Sequence, residues 1–203
     1  MEYVFTRHNV GFRVIDELAR RCAVRLRENP GETMLAQASL AGKPVILARP
    51  LTYMNRSGVA ISALMRRFSV EDEQLLIFYD DMDLPLGRLR LRPGGGSGGH
   101  RGMESIIALL ATDNFPRLRF GVGREGLTEE EGVASYVLTP FSEAEEQVVQ
   151  RAVALAADAT ELMLRQGIEA AMNKYNAKDK KQELKEKIQK TEDKCQESAD
   201  RTE

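Results

Sequence analysis

The chain has 203 residues, 42% hydrophobic and 30% charged, a size and balance that suit one soluble globular domain with a single core. Its two cysteines, Cys22 and Cys195, are too few and too far apart for a disulfide framework or a zinc site, and no apolar stretch nears membrane-spanning length; no metal and no membrane partner are expected. Residues 1–8 lack the basic start and apolar run of a secretory signal, which leads to a cytoplasmic expectation, and the formal net charge of −2 directs any search for a nucleic-acid partner to local clusters.

In chain order, Val10, Phe12, Val14, Ile15 and Leu18 recur at near-helical spacing and predict a first helix, with His8 at its entrance. Residues 33–40 and 45–48 read as two strands about the turn Ala41-Gly42-Lys43-Pro44. A helix is predicted over 55–68 and a buried strand over the continuous apolar run 75–79, and residues 88–91 alternate charged with apolar. A short helix follows over 103–110, then a strand over 118–122. Ser142-Glu143-Ala144-Glu145 is a capping box that opens a long helix to 164, where Gly167 stops or bends it. The alternation of helix and strand argues for a layered α/β fold in one domain, 1–176, followed by a Lys- and Glu-rich solvated tail, 177–203.

Three stretches carry chemistry. His8, in Thr6-Arg7-His8-Asn9-Val10-Gly11-Phe12, is one of only two histidines, and an imidazole is the side chain best suited to move protons near neutral pH; a polar helix cap is the plainer role for it. A carboxylate bonded to its second ring nitrogen would fix the tautomer, and Tyr79-Asp80-Asp81-Met82-Asp83-Leu84-Pro85 offers three, among which spacing does not choose. Asn55, in Pro50-Leu51-Thr52-Tyr53-Met54-Asn55-Arg56-Ser57-Gly58, has a donor and an acceptor that suit a peptide backbone or a water, and it is equally fitted to cap the next helix.

The loop Gly94-Gly95-Gly96-Ser97-Gly98-Gly99 formally matches both G-x-G-x-x-G and G-x-S-x-G. The next strand lacks the acidic residue of a dinucleotide site, and His100-Arg101 stands where a P-loop needs Lys-Ser or Lys-Thr. A serine hydrolase resting on Ser97 alone is the weakest reading. Arg88, Arg90, Arg92, Arg101, Arg117, Arg119 and Arg124 surround this loop with only Glu104 and Asp113 opposing them, so it reads as an anion-binding region or as a solvated strand face.

Taken together, the His8, Asn55 and Asp80 stretches resemble the bacterial peptidyl-tRNA hydrolase family. The likeness continues through Gly99-His100-Arg101-Gly102, Phe115-Pro116-Arg117-Leu118-Arg119-Phe120-Gly121 and Tyr136-Val137-Leu138 to Gly167-Ile168-Glu169-Ala170-Ala171-Met172-Asn173. It implies a twisted mixed sheet flanked by helices and hydrolysis, by water and without cofactor, of the ester that joins peptide to tRNA, in a monomer whose partner is peptidyl-tRNA. It also implies His8 as base with Asp80 behind it, and Tyr53, Met54, Asn55, His100 and Arg101 around the substrate. Arg92 and Arg119 would clamp a tRNA phosphate.

Two departures from the family stand out. Arg101 replaces a frequent asparagine, and the hydrophobic strand and Gly-Asn-Pro-Gly turn that precede the Glu2-Tyr3 equivalent are absent, taking a substrate-binding asparagine with them. The resemblance therefore implies that the first family strand is missing from this chain, which favours inactivity without specifying a new role, while the intact His8, Asn55 and Asp80 favour the enzyme over its rival, a non-catalytic RNA-binding or scaffold relative.

Overall fold

A computed structural model describes residues 6–29, 32–124 and 132–177. The predicted tail, apart from Ala177, lies outside the described residues. Six helices are present among them: α1 (Val10–Arg21), α2 (Ser57–Phe68), α3 (Arg101–Leu110), α4 (Gly132–Val137), α5 (Glu143–Gln166) and α6 (Ile168–Tyr175). The six strands are β1 (Arg27–Asn29), β2 (Thr33–Leu40), β3 (Lys43–Pro50), β4 (Ile77–Asp81), β5 (Leu89–Arg92) and β6 (Arg117–Gly121). No described helix is long and apolar enough to cross a membrane.

The α/β layering expected from the sequence is present, with the strands shared between two sheets. β1, β2 and β3 form an antiparallel sheet. Its hairpin turns on Ala41 and Gly42, both at positive φ (54° and 78°), a pairing that matches the twist of the flanking strands. The second sheet has the order β4-β6-β5, with β4 parallel and β5 antiparallel to the central β6.

Side-chain alternation gives this mixed sheet two different faces. Leu89, Leu91, Leu118 and Phe120 point into a core built with Val10, Val14 and Leu18 of α1 and with Val149 and Ala156 of α5. Tyr79 faces a second core with Phe115, Ile61 and Met65 of α2, and Met103 and Ile106 of α3. Each large side chain so buried contributes roughly 1.5–3 kcal/mol.

Several boundaries differ from the sequence expectation for local reasons. The predicted strand over 75–79 lies at Ile77–Asp81: a 3-10 turn at Asp72–Gln74 takes the Leu75 N–H, while two aspartates continue the ladder. The helix predicted from 55 begins at Ser57, after a 3-10 turn at Met54–Arg56. The helix predicted from 103 begins at Arg101, because His100 serves as its N-cap. The α5 capping box is present in both directions, and Gly167, at φ 88°, separates α5 from α6.

Gly11 sets the approach of α1 to the mixed sheet. A Cβ built there would collide with the Phe78 carbonyl of β4, so only glycine lets the helix rest on the strand. Gly58 does the same for α2 against the Ser105 carbonyl of α3. Gly11→Ala should therefore destabilise the protein by about 1–3 kcal/mol in a denaturant titration, as overpacking against backbone does. A variant as stable as the wild type would contradict this packing.

Candidate active site

Arg7 anchors the start of α1. Buried to 6% exposure, it makes a two-pronged ion pair with Glu145 of α5 at 2.9 Å and stacks 4.6 Å from the Tyr136 ring centroid and 4.8 Å from that of Phe141. Its backbone N–H donates to the Thr139 carbonyl at 3.0 Å. Nothing in the sequence singles out Arg7, whose hydrogen-bond partners lie more than 130 positions away. The residue that it fixes in place is its neighbour, His8.

His8 Nδ1 lies 2.7 Å from Asp80 Oδ1. A carboxylate oxygen can only accept, so Nδ1 carries the proton and Nε2 keeps its lone pair. His8 Nε2 has no hydrogen-bond partner among the described residues. The choice among the three aspartates follows from strand alternation. Asp80 shares the Phe78 face towards α1, whereas Asp81 points the other way, where it pairs with Arg119 and accepts the Asp83 N–H at 2.9 Å. Asp83 sits in the following turn, paired with Arg124 at the surface.

His100 joins the same cluster. Its Nε2 lies 3.1 Å from Asp80 Oδ1, its Nδ1 accepts the Met103 N–H at 3.1 Å, and its ring centroid is 5.0 Å from those of both His8 and Tyr79. Its Asp80 bond had no signal in the sequence, which placed His100 only around the substrate. Burial alone would push the Asp80 carboxyl up, but the hydrogen bonds from His100 and His8 override it and hold the group below its ordinary value. Asp80 is therefore a charged acceptor at neutral pH.

His8 and His100 line an apolar cleft of about 890 Å³ whose walls also include Gly11, Met54, Tyr79 and Gly102. Met54 is half-buried there, its sulfur so placed that a Cβ on Gly102 would come within 2.7 Å of it. Tyr53 is 80% exposed, and Asn55 and Arg101 are exposed beside the cleft residues Met54 and His100. The Asn55 side chain does not cap α2, whose N-cap is Arg56.

The Gly-rich loop is tied down from below. Arg117, 1% exposed, donates to the carbonyls of Gly95, Gly96 (3.2 Å), Asp113 (2.7 Å) and Phe115 (3.3 Å), so this arginine is structural and not part of a surface patch. Ser97 has Glu104 at 3.5 Å and its own loop N–H at Gly99, with no imidazole bonded to it, which removes the basis of the serine-hydrolase reading. Arg90, Arg92 and Arg119 share one face across β5 and β6, with Arg90 directly opposite Arg119. Arg92 lowers the pKa of Arg90, as crowded cations do. Arg119 is neutralised in part by Asp81, while Arg92 has no ion-pair partner among the described residues.

His8, Asp80 and His100 are also a described cluster with metal-ligand chemistry, their ligand atoms lying within 4.8 Å of one another. Binding an ion through His100 Nε2 would require that nitrogen to lose its proton and Nδ1 to gain one, at the expense of the α3 cap.

Residues 1–184 match the sequence profile of the family described as Peptidyl-tRNA hydrolase. A peptidyl-tRNA hydrolase of Aquifex aeolicus is 48% identical over 181 residues, covering 88% of this chain and 92% of the relative. One of Trichodesmium erythraeum is 49% identical over 182 residues, covering 86% and 83%. The crystal structure of a peptidyl-tRNA hydrolase from Acinetobacter baumannii superposes with a TM-score of 0.81 at 34% identity, covering 87% of this chain and 89% of that one.

The depressed pKa of Asp80 has a stability consequence. A carboxyl whose folded pKa lies below its unfolded value of about 3.9 stabilises the fold above that value, and this contribution is lost as pH falls through the folded pKa. Asp80→Asn should thus melt below the wild type at neutral pH, with the gap narrowing as thermal melts are repeated down to about pH 3. A gap that stays constant with pH would show that Asp80 is not held as a charged acceptor.

Proposed function

The chain belongs to the peptidyl-tRNA hydrolase family, and on that premise we propose how its own residues hydrolyse the ester between a peptide and the ribose of tRNA. The observation that carries the reading is the 2.7 Å contact between His8 Nδ1 and the buried Asp80, which leaves Nε2 without a partner among the described residues on a ring that lines an apolar cleft. His8 Nε2 takes a proton from water as the water oxygen bonds to the ester carbonyl carbon. The bond to the ribose oxygen then breaks, and that oxygen takes up the proton, leaving a free tRNA hydroxyl and a peptide carboxylic acid. Asp80 stabilises the imidazolium formed in between.

The apolar cleft suits a peptide, with Met54 in its wall and Tyr53, Asn55 and Arg101 exposed where a substrate can reach them. Asn55 can offer an amide to the peptide backbone or to the attacking water. Arg92 and Arg119 lie on the cationic face of β5 and β6 and would meet a tRNA phosphate there, Arg92 with its full charge and Arg119 sharing its charge with Asp81. The reaction so written needs no cofactor and no second subunit, in keeping with a cytoplasmic monomer. Against the non-catalytic alternative, which the missing first strand raises, stands the assembled pair of His8 and Asp80.

His8→Ala should lower kcat by roughly a hundredfold or more on an N-acylated aminoacyl-tRNA while leaving RNA binding nearly intact, and the same RNA with a free amino group serves as the specificity control. Equal losses of binding and rate would make His8 structural. Arg92→Ala should weaken tRNA binding and flatten its log–log salt dependence by about one unit, without slowing a minimal ester that lacks RNA. If both substrates suffer alike, the phosphate role of Arg92 is wrong.

A further inference from the structure

We propose that His100 is a positioning residue for the hydrolysis: through Asp80 it fixes which ring nitrogen of His8 stays free to take a proton. The inference rests on the reading of His8 as the base. Its starting point is the end of a helix. The Met103 backbone N–H, one of the donors left without a partner in the first turn of α3, can only donate, and it donates to His100 Nδ1 at 3.1 Å. A ring nitrogen that accepts a hydrogen bond carries no proton. In the neutral ring the proton is therefore on Nε2, the atom 3.1 Å from Asp80 Oδ1.

The same oxygen receives His8 Nδ1 at 2.7 Å. Both imidazoles donate to one acceptor, so they carry opposite tautomers: Nε2–H in His100 and Nδ1–H in His8. With a single donor, the Asp80 carboxylate could rotate about its last torsion and carry the His8 ring with it. A second donor from another element pins it. The His100 ring is itself confined, by the edge contact with Tyr79 and by the backbone of Gly102, where a Cβ would come within 2.9 Å of Cε1. Orientation thus passes from the α3 N-terminus through His100 and Asp80 to His8, and none of these steps requires His100 to touch the substrate.

Two substitutions separate the two ends of the His100 ring. In His100→Asn the amide oxygen can stand in for Nδ1 and keep the cap on Met103, but the side chain is too short to reach Asp80. In His100→Gln the amide nitrogen stands in for Nε2 and can still donate to the carboxylate. Steady-state hydrolysis of an N-acylated aminoacyl-tRNA is measured for both, with a thermal melt of each and with His8→Ala alongside.

The expected result is that His100→Asn keeps a cooperative melt and a KM within about twofold of wild type but loses kcat by about tenfold or more, and that His100→Gln recovers more than half of the lost kcat. A raised KM at unchanged kcat in His100→Asn would make the ring a substrate grip and overturn the proposal. So would a His100→Gln no better than His100→Asn. Should His100→Asn fail to fold, His100→Gln decides alone: a kcat within about threefold of wild type supports the role, and a loss on the order of a hundredfold in a folded protein refutes it. If His8→Ala keeps its rate, the reading of His8 as base fails first, and the proposal falls with it.

Discussion

Asp80 carries a negative charge to a position where only 5% of the residue is exposed, a placement that costs several kcal/mol unless hydrogen bonds replace the lost water. Two imidazoles supply them, and each arrives at the start of a different helix. The site depends on both helices being held in place. α1 comes close because Gly11 lies on the Phe78 carbonyl and because Arg7 ties its start to α5, and α3 presents His100 because that residue is its cap. A charge that would destabilise an unassisted core here orders the groups around it.

The mixed sheet separates chemistry from charge by alternation alone. Asp80 and Phe78 face α1, while the neighbouring Asp81 turns to Arg119 on the face that also carries Arg90 and Arg92. Asp80 and the cationic face are consequently one residue apart in register on adjacent strands, with Asp80 opposite Phe120 and Tyr79 opposite Arg119. Arg117 belongs to the same face in register but is consumed internally, where its guanidinium holds the Gly-rich loop that leads into α3. Of the four arginines on this face, one thereby supports the loop, one balances a buried aspartate, and Arg90 and Arg92 have no ion-pair partner among the described residues.

Much of this was legible before any coordinates, and the failures have physical reasons. The α5 capping box, the β2–β3 hairpin and the amphipathic α1 are local patterns, so their sequences suffice. Asp80 could be told from Asp81 only through the family resemblance, because the choice turns on which face of β4 each occupies, and the predicted strand stopped short of both. Aspartates are poor strand formers, and here the partners across the sheet and on α1 decide the matter. Arg7 and Arg117 read as ordinary basic residues although both are almost fully buried, since their partners are brought together by tertiary structure. β1, the polar segment Arg27–Asn29, has no apolar pattern to betray it and forms by pairing with β2.

With only two histidines in the chain, nitrogen-15 spectra of selectively labelled imidazoles can be read without ambiguity, at a pH where both rings are neutral. The central claim is that Asp80 accepts from both rings and so leaves His8 Nε2 free. The account predicts one ring protonated at Nδ1 and the other at Nε2, with the Nδ1–H signal assigned to His8 by its loss in His8→Ala, and with that preference abolished in Asp80→Asn. Two rings of the same tautomer, or a His8 tautomer indifferent to Asp80→Asn, would contradict it.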